Sequence, residues 1–267
     1  GTKSLSFSNF RTCSFLLFFA LYLQSIPNKQ ALTNIVENIE FKKTNSTALL
    51  SLRILSSAIL ALCRDAFSLL ENNRIFTACS LVCQATEAQI QLLCIDKLYD
   101  TKGRDYYEFA FIEQLKSLPI NPHWQEKTLQ RMHYYNCERF YNGKGKNTAD
   151  FNSYDKNWYR SFANSIKDLS KIAFPHFKEL FHNQGISFFE ENLDIDLLYE
   201  NYQTLCSFKH LSPFIVGNTF SVQDKLFEEQ MMNHRNVALT GIYTALISVI
   251  FVLNRHNEQI PTKGCLF

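Results

Sequence analysis

Glycine and proline are scarce in this chain, with 8 and 6 residues among 267. From Asn28 to Lys102, 75 consecutive residues contain neither, where average usage would place roughly nine. Strands must turn after about 5–10 residues, and turns draw on Gly, Pro, Asn and Asp. The shortage therefore excludes a β-rich fold and predicts long helices. The signatures of common chemistries are missing too. There is no phosphate-cradling glycine loop, no G-x-S-x-G, no H-E-x-x-H and no C-x-x-C. Eight cysteines make up about 3% of the chain, far below a disulfide scaffold, and several fall on apolar helical arcs. A reducing, cytoplasmic setting is expected. Cys265 is third from the end of the chain as given, which is not a prenylation box.

A net charge of +2 imposes no nucleic-acid or membrane partner, but charge is uneven along the chain. Lys127 to Lys146 holds five bases against Glu138, and Glu190 to Glu200 holds five acids and no base. Two apolar runs bear on membranes. Cys13–Leu23 follows Lys3 and Arg11 as a signal peptide would, yet no small-residue cleavage site follows, and it reads as a packed helix. Val237–Leu253 is uncharged over 17 residues. At about 1.5 Å per residue it is shorter than a bilayer core of roughly 30 Å, so it reads as a central buried helix. A membrane partner is not expected.

The expected architecture is all-α, a multi-helix bundle built on a long antiparallel helical hairpin. Ser46 or Thr47 caps a first helix to about Asn72, with a core stripe of Leu52, Leu55, Ile59, Leu62, Ala66 and Leu69. After the Asn72-Asn73 break a second helix runs from about Arg74 to Tyr99. It is apolar nearly all round except for a stripe of Thr77, Ser80, Gln84, Glu87 and Gln91, which marks it as central. Helices follow over about Tyr106–Leu118 and Trp124–Tyr141. A further helix carries Trp158, Phe162, Ile166, Leu169 and Ala173 and stops before Pro175, and a short aromatic piece spans Phe177–His182. Asn192 or Asp194 caps a helix to about Leu211, and the last long helix covers about Val222–His256. Residues 1–44 form an N-terminal helical extension. Residues 45–260 form one helical domain with an exposed loop at 142–156. Leu55, Ile59, Leu62, Val82, Ile90, Leu205 and Leu246 are the expected core.

The sharpest polar pattern is Tyr202-x-x-Leu205-x-x-x-x-His210-x-x-Pro213. A His ending a helix caps its last carbonyls. A functional alternative joins Glu87, Tyr202 and His210 in one pocket. Cys79/Cys83, His133/Cys137 and Cys206/His210 are each spaced by four, but such pairs arise by chance in helical sequence, and neither a metal nor another cofactor is expected. Arg131, Arg139, Lys144 and Lys146, interleaved with Tyr and Phe, are candidate nucleic-acid contacts. The same letters fit a solvated helix face.

Two segments, FTACSLVCQATE (Phe76 to Glu87) and YENYQTLCSFKH (Tyr199 to His210), resemble a bacterial all-helical family labelled only as a domain of unknown function. Its motifs read Arg-x-x-x-Glu and Tyr-x-x-Leu-Ser-x-x-x-His. Glu87, Tyr202, Leu205 and His210 fit, while Cys83 stands at the Arg position and Cys206 at the Ser position. Members look like relatives of HEPN-type proteins, many of which act in phage defence or toxin systems. The resemblance implies an RNA link, yet no Arg here stands five to seven positions before a His, so the nuclease signature is lacking. The expectation is a non-catalytic or degenerate module of a defence or stress system, with an RNA or protein partner or a second copy of itself. The alternatives are an RNA-directed enzyme using Glu87, Tyr202 and His210, and a membrane-associated helical protein.

Overall fold

The computed structural model describes residues 44–107, 109, 158–159, 162–183, 193–213, 215 and 225–256. These residues are 85% helical and contain no strand, an all-α bundle. The elements are α1 (Thr47–Glu71), α2 (Ile75–Lys97), the single turn α3 (Tyr99–Lys102), α4 (Ile166–Asn183), α5 (Ile195–Lys209) and α6 (Lys225–Arg255). The N-terminal extension up to residue 43, the 142–156 loop, the helix expected at Trp124–Tyr141 and all but the helical Tyr106, Tyr107 and Phe109 of the one expected at Tyr106–Leu118 lie outside the described residues, as do Arg131, Arg139, Lys144 and Lys146.

The hairpin of α1 and α2 is formed by local chemistry at both of its turns. Ser46 Oγ accepts from the Leu49 N–H at 3.3 Å, satisfying one orphan donor of the first turn. Asn73 adopts φ 55°, a left-handed conformation that Asn tolerates. The Arg74 N–H then closes on the Leu69 carbonyl at 2.9 Å, a Schellman stop. Arg235 of α6 fixes the turn by donating to Asn73 Oδ1 at 3.1 Å.

α2 is the axis of the bundle, in contact with α1, α4, α5 and α6. Fifteen of its 23 residues are buried, and the Thr77–Gln91 polar stripe is its less buried face. Leu55, Ile59, Val82, Ile90, Leu205 and Leu246 are in the core. Leu62 is not; it is only half-buried, because the stripe of α1 drifts around the helix and Leu60 and Cys63 carry the inner face at that level. Gly241 lets α6 approach α2 closely, since a Cβ there would stand 2.5 Å from Val82 Cγ1. Gly241→Ala is therefore expected to cost about 1–3 kcal/mol as overpacking, read as a lower denaturant midpoint with an unchanged m-value.

Pro175 does not end a helix. It lies inside α4, which joins the two pieces read separately from the sequence. Pro175 and Lys171, whose carbonyl loses its partner, are both exposed, so water can replace the missing bond. Phe174, Phe177, Leu180 and Phe181 meanwhile bury the inner face, which offsets the roughly 3 kcal/mol cost of an interior proline. The helix also starts later than Trp158 suggested. Ser165 Oγ accepts from the Asp168 N–H at 3.2 Å, and the Asp168 carboxylate accepts from the Asn164 N–H at 3.2 Å, so a reciprocal cap fixes the start at Ile166. Trp158 instead packs from a turn and donates to Gln91 Oε1 at 2.8 Å.

Three helices are long and apolar enough to cross a membrane: Thr47–Glu71, Ile75–Lys97 and Glu229–Arg255. In the last two, 72% of the most apolar window is buried inside the bundle, against 44% in the first.

Candidate functional site

Glu87 lies on α2 one turn after Cys83, and both face α5. The Tyr202 hydroxyl donates to Glu87 Oε1 at 3.1 Å, and Lys209 Nζ donates to Oε2 at 2.7 Å. Glu87 and Tyr202 thus meet, but the third partner is Lys209. His210 is the C-cap of α5, where its backbone N–H bonds the Cys206 carbonyl, and its side chain is exposed. Leu211 follows in the left-handed region at φ 51°, and the Ser212 N–H closes on the Ser207 carbonyl at 2.9 Å. The terminal position of His210 faces it outward, while Lys209, one residue earlier, reaches back to the carboxylate.

The sequence did not single out the sulfur pair at the same place. Cys83 Sγ and Cys206 Sγ are 3.6 Å apart, Cys83 fully buried and Cys206 partly exposed. A hydrogen bond from Cys83 lowers the Cys206 pKa to about 7 against the opposing effect of burial. The Tyr202 hydroxyl helps, with one proton and two acceptors in reach, Glu87 and the Cys206 sulfur. Cys83 itself moves strongly upward because its proton is held by the bond to Cys206 and because it is buried. Burial also raises the Tyr202 pKa. Burial disfavours the Lys209 ammonium, but its bond to Glu87 outweighs this and the pKa rises. Cys63, Cys79 and Cys94 are pushed to about 12 by burial.

Donor atoms of Cys83, Glu87 and Cys206 lie within 4.8 Å of one another. An ammonium 2.7 Å from the carboxylate places a positive charge where a metal cation would need a ligand, and three donors fall short of a closed tetrahedral set. The arrangement reads as thiol chemistry.

A second cluster ties α2, α4 and the end of α6. The Asp96 side chain is fully buried. His176 Nε2 lies 2.6 Å from Oδ2, Arg255 Nη1 3.1 Å from Oδ2, and His256 Nε2 2.7 Å from Oδ1. His176 Nδ1 reaches Glu179 Oε2 at 3.1 Å, and Lys97 reaches the same oxygen at 2.6 Å. The His256 ring packs on Tyr99 with centroids 4.3 Å apart. Burial alone would raise the Asp96 pKa, but the hydrogen bonds from His176 and His256 and the Arg255 charge bring it down to about 2. None of the four residues was singled out from the sequence as part of a site, because they come from three separate helices.

Between the clusters, Gln89, Asn201, Tyr202 and Thr244 help to line a cavity of about 10 Å³. That is about the space needed by one water. Gln89 Oε1 and Asn201 Nδ2 are buried there without a protein partner. Comparison of the chain with protein-family models, with curated proteins and with solved structures finds no match.

Proposed function

We propose that the protein is a non-catalytic helical module of a bacterial defence or stress system that works by binding a protein or RNA partner in the cytoplasm. The observation that carries this reading is that both polar clusters are satisfied internally. Glu87 is held by Tyr202 and Lys209, and Asp96 by His176, His256 and Arg255. A catalytic base must instead present a free lone pair to a substrate proton. The cavity beside Tyr202, about 10 Å³, is also far below the roughly 300–1,000 Å³ of small-molecule sites. The class of system follows from the motif resemblance carried by Glu87, Tyr202, Leu205 and His210. The cytoplasmic setting is part of this proposal and is supported by the low cysteine content of the chain, 8 residues in 267. Recovery of the chain only in detergent would instead favour a membrane-associated protein.

A second reading, an RNA-directed enzyme, is favoured by one arrangement. Asp96 orients two imidazoles beside Arg255, whose side chain is 47% exposed, and such groups perform acid–base work on charged substrates. On that reading the centre is Asp96, with Glu87, Tyr202 and His210 as the sequence-derived alternative. Incubation of the full chain with single-stranded and hairpin RNA separates the two. The module reading expects intact RNA. Cleavage abolished by His256→Ala, or by His210→Ala, would overturn it and identify which cluster acts.

A further inference from the structure

We propose that Cys206 and Cys83 are a peroxide-reactive dithiol that closes reversibly to a disulfide joining α5 to α2. Four observations converge on this pair. The sulfurs are 3.6 Å apart across two helices, and a disulfide of about 2 Å needs them to close by roughly 1.6 Å. Cys206 is partly exposed, whereas Cys63, Cys79, Cys83 and Cys94 are buried, so a dissolved oxidant meets one of the described thiols first. The Cys83 thiol donates toward the Cys206 sulfur and the Tyr202 hydroxyl lies in reach of it, while the Glu87 carboxylate offsets the charge of the Lys209 ammonium it pairs with. The donated bonds stabilise a thiolate, which is the nucleophilic form. Finally, Cys83 retains its proton, so it acts second and does not compete for the oxidant.

The co-reactant is a hydroperoxide. The Cys206 thiolate attacks one peroxide oxygen; an S–O bond forms, the O–O bond breaks, and the alkoxide or hydroxide leaves and takes a proton from water. Cys206 is oxidised to sulfenic acid as the peroxide is reduced. The Cys83 sulfur then attacks the sulfenic sulfur. An S–S bond forms, the S–O bond breaks, and the departing hydroxide carries away the Cys83 proton as water. Two thiols and one hydroperoxide thus give one disulfide, one alcohol or water from the peroxide, and one further water. The closure lies one turn before the exposed end of α5 at His210, so it pins that end to the central helix. It is independent of whether the module binds RNA or protein.

The test uses the full reduced chain with hydrogen peroxide as the probe, followed by peptide-resolved mass spectrometry. The expected product is a cross-link between the Cys83 and Cys206 peptides that dithiothreitol reverses. In Cys83→Ser, Cys206 should accumulate sulfenic acid that a cyclic 1,3-diketone traps. In Cys206→Ser, Cys83 should remain reduced. On the wild-type protein, where folding is not in question, iodoacetamide at pH 7 should label Cys206 about tenfold faster or more than Cys94. This follows because Cys206 is partly exposed with its pKa lowered to about 7, whereas Cys94 is buried and pushed up to about 12, so both access and thiolate fraction favour Cys206. No Cys83–Cys206 cross-link under peroxide, or labelling of Cys206 no faster than of Cys94, would overturn the proposal.

Discussion

Asp96→Ala is expected to lower unfolding stability by about 3–5 kcal/mol, since removing the buried carboxylate takes a partner from the buried His176 and the part-buried His256 at once. Three helices depend on this carboxylate, through His176 on α4, Arg255 on α6 and His256 just beyond it. The loss should appear as a shifted midpoint in chemical denaturation. Asp96→Asn, which keeps the shape and one acceptor, should lose less. The same carboxylate gives the bundle an acid limit. Its folded pKa, about 2, lies below its ordinary value of 3.8, so it contributes stability above about pH 4. That contribution fades as pH falls through the window from about 4 to about 2, where the unfolded chain binds the proton more readily. In Asp96→Asn this part of the pH dependence should be missing. A wild-type profile no steeper than the variant's between these pH values would show that the network contributes nothing.

Ile59→Ala should cost about 2–5 kcal/mol, and Leu62→Ala clearly less. Both lie on α1 and both remove aliphatic carbons, but Ile59 is 0% exposed whereas Leu62 is half-buried. A fully buried side chain loses its transfer free energy and leaves a cavity, while a rim position can be filled by solvent. The two substitutions, compared at the same m-value in urea, also test the rotation of α1. Equal losses would mean that the helix is turned so that both residues face inward.

The helical class was legible because it rests on local rules. Missing turn residues, a Ser cap at Ser46 and an Asn stop at Asn73 act within a few residues of where they are read. Leu62 was misplaced because a three-and-four spacing identifies a face without saying how wide its buried part is. Pro175 was misread because local propensity cannot weigh the burial, in the interior of the bundle, of Phe174 and Phe177 on the same helix. At the site, Glu87 and Tyr202 could be found from the single polar stripe and the Tyr–His spacing, but the role given to His210 falls to Lys209, because the last turn of α5 directs one residue inward and the next outward. The sulfur pair had a signal that was not followed. Cys83 and Cys206 are the two positions at which the chain departs from the motifs it resembles, and they touch each other. The Asp96 network had none, since its members are separated by up to 160 residues.

The central place of α2 also has a consequence for biosynthesis. Among the described helices this axis is the second long one to be synthesised, yet three of the four that cover it come later in the chain, the last ending at Arg255. At about 5–20 residues per second, roughly 8–30 s pass between synthesis of Lys97 and of Arg255. Through that interval, among the described helices, only α1 is present to shield a helix with 15 of its 23 residues destined for the interior. The nascent hairpin is therefore the stretch on which a trigger-type or Hsp70-type holdase should act, and slowing elongation downstream of Lys97 should raise the fraction of insoluble product.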